Sequence, residues 1–142
     1  MTKEQLLKDT IDYYSKDPVG LRCVKNNGQG NVTCRYSPKN VNKPKSEGCG
    51  IGRHLSPEVK LRYDEEENNS IKEIFKDPEL KAMAPKWMHR IGIKYLMAIQ
   101  SLHDCTNHWT ATGLSEAGKN QVSYLIWSFK LKKEDIFGSI EI

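Results

Sequence analysis

Apolar residues recur at helical spacing in the first fifteen positions. Leu7, Ile11 and Tyr14 fall on one stripe, with Leu6 beside them. Thr2 is placed to cap this helix, and Gln5 stands three residues on in the capping-box position. Asp17-Pro18 and Gly20 end it near residue 15. The period then changes. Residues 21–25 and 32–36 are short strand-like runs flanking Asn26-Asn27-Gly28-Gln29-Gly30-Asn31, which predicts a hairpin. Two registers compete. A turn centred on Gly28-Gln29 pairs residue 25 with 32 and sets Cys23 across from Cys34. A turn centred on Asn27-Gly28 pairs 26 with 29 and moves Cys34 opposite Leu21.

Residues 37–48 read as a flexible basic loop, which runs into Gly48-Cys49-Gly50-Ile51-Gly52. Ser56-Pro57 opens a short helix that ends in the acidic run 64–67. Ser70 with Glu73 opens another, to about residue 76, and Asp77-Pro78 a third, to about 83. Pro85 precedes the longest helix, expected over 86–105, with Trp87, Ile91, Tyr95, Ala98, Ile99 and Leu102 as its stripe. Residues 107–113 are a break. Ser115 caps a last helix to about 129 that turns Val122, Leu125, Ile126 and Phe129 inward. Residues 134–137 add one turn, and 138–142 form a tail.

These elements predict one α+β domain over 1–142: a small β-hairpin or sheet packed on about five α-helices. The 142 residues suit one domain, against a usual size of roughly 100–200. Its own core suffices for folding, since a chain this long buries about 68% of its unfolded surface. With 37% hydrophobic and 28% charged residues, no apolar run approaches the roughly 18 that a membrane span needs. Met1-Thr2-Lys3-Glu4-Gln5 lacks the apolar core of a signal peptide. The expectation is therefore a cytoplasmic protein whose four cysteines stay reduced.

Charge is uneven along the chain. Lys16 to Arg62 holds ten bases and three acids, a local +7; Asp64 to Pro85 holds seven acids and three bases, a local −4. The basic stretch suits an acidic protein surface or a phosphate. Only Tyr36 interleaves with its bases, which argues against a nucleic-acid platform.

Three groupings could carry chemistry. Gly50 and Gly52 stand with Arg53 and His54 just before the Ser56 helix start, where free backbone N–H groups would make an anion site for a phosphorylated small molecule. The alternative is a tight connection between hairpin and helix. His103-Asp104 closes the long helix, and a Cys49 thiolate paired with His103 would make a nucleophile and its base. Adjacent helical residues do not face each other, which counts against Asp104 orienting His103. Otherwise His103 is a core residue bonded to backbone. Cys105 and His108 are one pair three apart, whereas structural zinc uses two tight pairs, so no metal is expected, nor any cofactor.

Three pieces in order carry a resemblance. They are Cys34-Arg35-Tyr36, then Cys49-Gly50-Ile51-Gly52 with Leu55 and Pro57-Glu58 behind, then Ile99-Gln100-Ser101-Leu102-His103-Asp104 with Trp109 after. The order resembles small proteins of unknown function in tailed phages and prophages, with Cys-x-Tyr, Cys-x-x-Gly and Gln-x-x-His-Asp, over about residues 21–110. Here Ser56 precedes the proline and the loop between the cysteines is longer. The resemblance implies a phage setting, hence the host cytoplasm, and no particular chemistry. By association, small phage proteins bind and disable host factors. The leading expectation is thus an accessory protein that inhibits a host defence or regulatory protein. Its binding face is expected at Arg35, Tyr36, Lys39, Lys43, Lys45, Gly50, Gly52, Arg53 and His54. The alternatives are a small enzyme using Cys49, His103 and Asp104, or a binder of a nucleotide-like phosphorylated signal.

Overall fold

Capping signals decide where most helices of this chain begin. The structure, a computed structural model, describes residues 1–26, 32–40 and 43–138. Helix α1 (Lys3–Ser15) starts on the expected capping box: Thr2 N–H donates to Gln5 Oε1 at 2.8 Å and Gln5 N–H to Thr2 Oγ1 at 3.1 Å. Its inward face is Leu6, Leu7, Thr10, Tyr13 and Tyr14, while Ile11 is half-buried. Asp17-Pro18 ends α1 and also starts α2 (Pro18–Leu21), whose Gly20 N–H the Asp17 carboxylate accepts. Ser56, Ser70, Asp77 and Ser115 cap α3 (Pro57–Asp64), α4 (Ile71–Ile74), α5 (Pro78–Ala82) and α8 (Glu116–Ser128) in the same way. The one-turn α9 (Glu134–Phe137) falls where expected.

The coarse class holds: the molecule is mostly helical with minimal antiparallel sheet. Three details differ. Nine α-helical segments occur among the described residues, against about five expected, because one-turn pieces such as α2 stand apart and the long helix is split. The helix expected over 86–105 is two, α6 (Lys86–Ile91) and α7 (Ile93–Asp104). Gly92 between them has φ +93°, which L side chains rarely adopt, so the helical path breaks there. A second, very small hairpin, β3 (Trp109–Thr110) with β4 (Gly113–Leu114), occupies the expected break after α7.

The first hairpin, β1 (Val24–Asn26) with β2 (Val32–Cys34), takes neither expected register. Val24 pairs with Cys34 and Asn26 with Val32, so Cys23 is not opposite Cys34. A one-residue change of register moves every side chain to the other face. Cys23 lies just before β1 and is fully buried in the core. The two glycine turns weighed from the sequence, and the 139–142 part of the tail, lie outside the described residues.

One apolar cluster joins α1, α3, α4, α7 and α8. Tyr95, Leu96, Ile99 and Leu102 of α7 form its middle. Tyr95 also donates its hydroxyl to Lys3 O at 2.7 Å and sets its ring against Phe129, which ties α7 to both ends of the chain. Truncating the fully buried Ile99 to alanine should lower unfolding free energy by about 2–4 kcal/mol in urea titration. An unchanged midpoint would mean that this face of α7 is not the core.

Candidate functional site

A helix end leaves four carbonyls without intrahelical partners. In α7 these are Ser101, Leu102, His103 and Asp104, and each is satisfied. Cys105 N–H donates to Ser101 O at 3.1 Å. Leu102 O accepts the Trp109 indole N–H at 2.9 Å and lies 3.1 Å from His108 Nδ1. Arg22 spans the other two, from Nε to His103 O and from a terminal N–H to Asp104 O, both at 2.8 Å. A guanidinium here also opposes the negative end of the helix dipole.

His103 sits inside this junction with no exposed surface. The Cys23 backbone N–H donates to His103 Nε2 at 3.0 Å. An N–H can only donate, so Nε2 carries the lone pair and the proton is on Nδ1, 2.7 Å from Asp104 Oδ1. Asp104 therefore does orient its sequence neighbour, contrary to the expectation for adjacent helical residues. It can do so because it is the last residue of α7, with Cys105 already extended. Burial pushes the His103 pKa down; the Asp104 hydrogen bond opposes this and the Arg22 charge adds to it. Tyr14 covers the ring at 4.7 Å.

Cys49 is fully buried, and its sulfur accepts the Gly52 N–H at 3.2 Å. With both ring nitrogens of His103 engaged, the imidazole has no lone pair to offer the Cys49 thiol. The pair expected from the sequence lies in one core but forms no nucleophile and base.

The glycine segment is spent on packing. A Cβ at Gly52 would lie 2.5 Å from Tyr36 O, and one at Gly50 would lie 3.3 Å from His103 Cβ. The N–H groups expected to bind an anion are used internally. Arg53 N–H goes to Cys49 O, His54 N–H to Ile51 O and Leu55 N–H to Gly52 O, at 2.9–3.1 Å. The tight-connection reading describes this segment.

Tyr36 belongs to the same buried network rather than to a surface. Its hydroxyl donates to Asn69 O at 2.6 Å and accepts from Gln100 Nε2 at 3.1 Å, while Gln100 Oε1 takes the Ile71 N–H. The Asp64 carboxylate accepts the N–H groups of Tyr36 and Ser37. Arg53 and His54 are largely covered. The Arg53 guanidinium lies 3.9 Å over the Tyr13 ring and pairs with Asp9 and Glu47. His54 packs edge-on against Trp87, and burial, with Arg53 beside it, pushes its pKa down to about 4. Of the other expected face residues, Lys45 and Lys39 are exposed, Arg35 is half-buried, and Lys43 donates to Val19 O.

The three pieces singled out in the sequence thus meet at one place, where Gly50 backs onto His103 and Gly52 onto Tyr36. Comparison with family models, with curated proteins and with solved structures finds no match to this chain. Among the described residues, no three His, Cys, Asp or Glu side chains converge as a metal site, and no helix is long and apolar enough to cross a membrane.

Sequence reasoning missed Arg22, Tyr14, Asn69 and Asp64. Each acts through bonds to residues distant in the chain, which leave no periodic trace. Gln100 had a signal, as a polar residue beside Ile99 on an apolar stripe.

Two outcomes follow from this burial. Cys23 is pushed up to about 12 by burial, and Cys49 is equally covered, whereas Cys105 is half-exposed. In a Cys34→Ser protein, a thiol reagent should modify one cysteine promptly and two only at the rate of opening, all three reacting at once in denaturant. Three fast thiols in the native protein would contradict the sealed core. Second, His54 and His103 are both lowered from 6.5 in the folded state, so below that pH the unfolded chain binds protons that the folded chain refuses. Stability is therefore fully present above pH 6.5 and falls as pH drops. The His54 share is about 2 kcal/mol between pH 7 and pH 5. Urea midpoints should follow this trend, and His54→Gln should flatten it; a pH-independent midpoint would refute it.

Proposed function

We propose that this chain is a phage-encoded accessory protein that acts by binding a host protein, a defence or regulatory factor, and not by catalysis. The observation that carries the binding mode is on α8. Trp127 is 77% exposed and Tyr124 55%, and their rings lie 6.2 Å apart on the solvent side of the helix. Trp and Tyr are the side chains that most often anchor protein interfaces. Beside them Ile126 and Leu131 line an open groove of about 540 Å³, with Lys130 and Lys133 contributing to its wall. No ion pair among the described residues includes either lysine. The partner surface that fits is an apolar pocket flanked by carboxylates.

This reading moves the centre of the interface. The hairpin and loop keep Lys39 and Lys45 as exposed cations, but Tyr36, Gly50 and Gly52 are interior and Arg53 is held by Asp9 and Glu47. The overall charge of +4 still favours encounter with an acidic partner. The phage setting rests on the order of the three motif pieces. A thiol enzyme finds no support in a Cys49 and a His103 that substrate cannot reach.

Immobilised protein should capture a specific protein from bacterial host lysate. The Tyr124→Ala/Trp127→Ala variant should lose that capture by tenfold or more with an unchanged melting temperature, and Cys49→Ser should retain it. Capture undiminished by the double substitution would remove α8 as the interface. Loss of the protein's effect on the host in a folded Cys49→Ser protein would restore the enzyme alternative.

A further inference from the structure

We propose that the cleft between α4, α5 and the α6–α7 break binds a mononucleotide, with its phosphate on lysines and its base on an apolar wall. This site is separate from the α8 face and does not depend on it. Residues 64–85 carry a local charge of −4, yet all three of their bases, Lys72, Lys76 and Lys81, line this one cleft, and no acid lines it. The acids Glu66, Glu67, Glu73 and Asp77 line the neighbouring depression instead. Lys76 reaches both, and Glu73 pairs with it at 3.0 Å. The fold thus sorts an acidic segment into a cationic cleft and an acidic one, leaving Lys72 and Lys81 outside any ion pair among the described residues.

The remaining walls suit a planar ring. Phe75 and Ile93 are half-buried and apolar. The His89 ring meets Phe75 edge-on at 5.8 Å, and its Nε2 lies 2.8 Å from Lys81 O. A carbonyl only accepts, so Nε2 bears the proton and the ring is held in place. Gly92 also lines the cleft, and an added Cβ there would enter open space. Helix α7 starts there with no side-chain cap, so the positive end of a twelve-residue helix lies at the cleft wall. The cleft holds about 430 Å³, within the range of roughly 300–1,000 Å³ usual for small-molecule sites. A bare anion would use only the cationic wall, and an apolar ligand only the other. A phosphate attached to a base uses both.

The test is an amide chemical-shift titration of the full chain with each of the four ribonucleoside monophosphates, with adenosine and inorganic phosphate as partial ligands and a short single-stranded oligonucleotide as the polymer arm. At least one monophosphate should move the signals of Phe75, His89, Gly92 and Ile93 saturably, with both partial ligands at least tenfold weaker. Lys72→Gln/Lys81→Gln should weaken that monophosphate tenfold or more at an unchanged melting temperature. Lys119→Gln/Lys132→Gln should leave it intact. Phe75→Leu should weaken the monophosphate but not inorganic phosphate. Absence of saturable shifts with all four, or shifts that survive loss of Lys72 and Lys81, would overturn the assignment. Oligonucleotide binding tenfold tighter at the same signals would overturn it in favour of a nucleic-acid strand.

Discussion

The carboxyl end of α7 is the constraint on which the rest of the molecule depends. Four carbonyls finish there, those of Leu102 and His103 on fully buried residues, where an unpaired backbone group costs about 1–3 kcal/mol. Arg22 covers two of them, Trp109 and His108 a third, and Cys105 the fourth. Arg22 stands at the end of α2, and Trp109 opens the second hairpin. Satisfying one helix end therefore fixes the chain before the first hairpin and the chain after α7 in the same step. His103 adds the last link by receiving Cys23 N–H, which holds the entry to β1 against the helix.

That arrangement sets the state of His103. A buried imidazole that accepts one hydrogen bond and donates another gains from neutrality and loses from protonation. It is a joint, not a base. The glycines follow the same logic: a side chain at Gly52 would collide with the Tyr36 backbone, and one at Gly50 would be tight against His103. Asp64, Tyr36, Asn69 and Gln100 continue the polar network through the core as far as α4. A fully satisfied buried network of this kind specifies one packing arrangement.

Two surface regions carry the binding proposals. The α8 face exposes two aromatic rings beside lysines, and the cleft at the α6–α7 break gathers lysines around Phe75. The first suits a protein with an apolar pocket, and the second a small phosphorylated ligand. Both use surface that the core does not need, so substitutions in either should separate binding from folding.

The sequence by itself determined the elements whose causes are local. The capping box at Thr2, the Ser and Asp-Pro caps and the stripe of α7 all act within a few residues, and each marks its element. Even Gly92 was visible, although periodicity on both sides concealed the break. The register of the first hairpin was not legible in the sequence, and the entry to β1 is anchored by the bond of Cys23 N–H to a histidine eighty residues away. The tertiary structure decided that His103 is a joint and that Arg22 caps a distant helix. It also separated Lys72, Lys76 and Lys81 from the acids around them, because side-chain direction on short, differently oriented helices, and not order along the chain, sets which charges share a face.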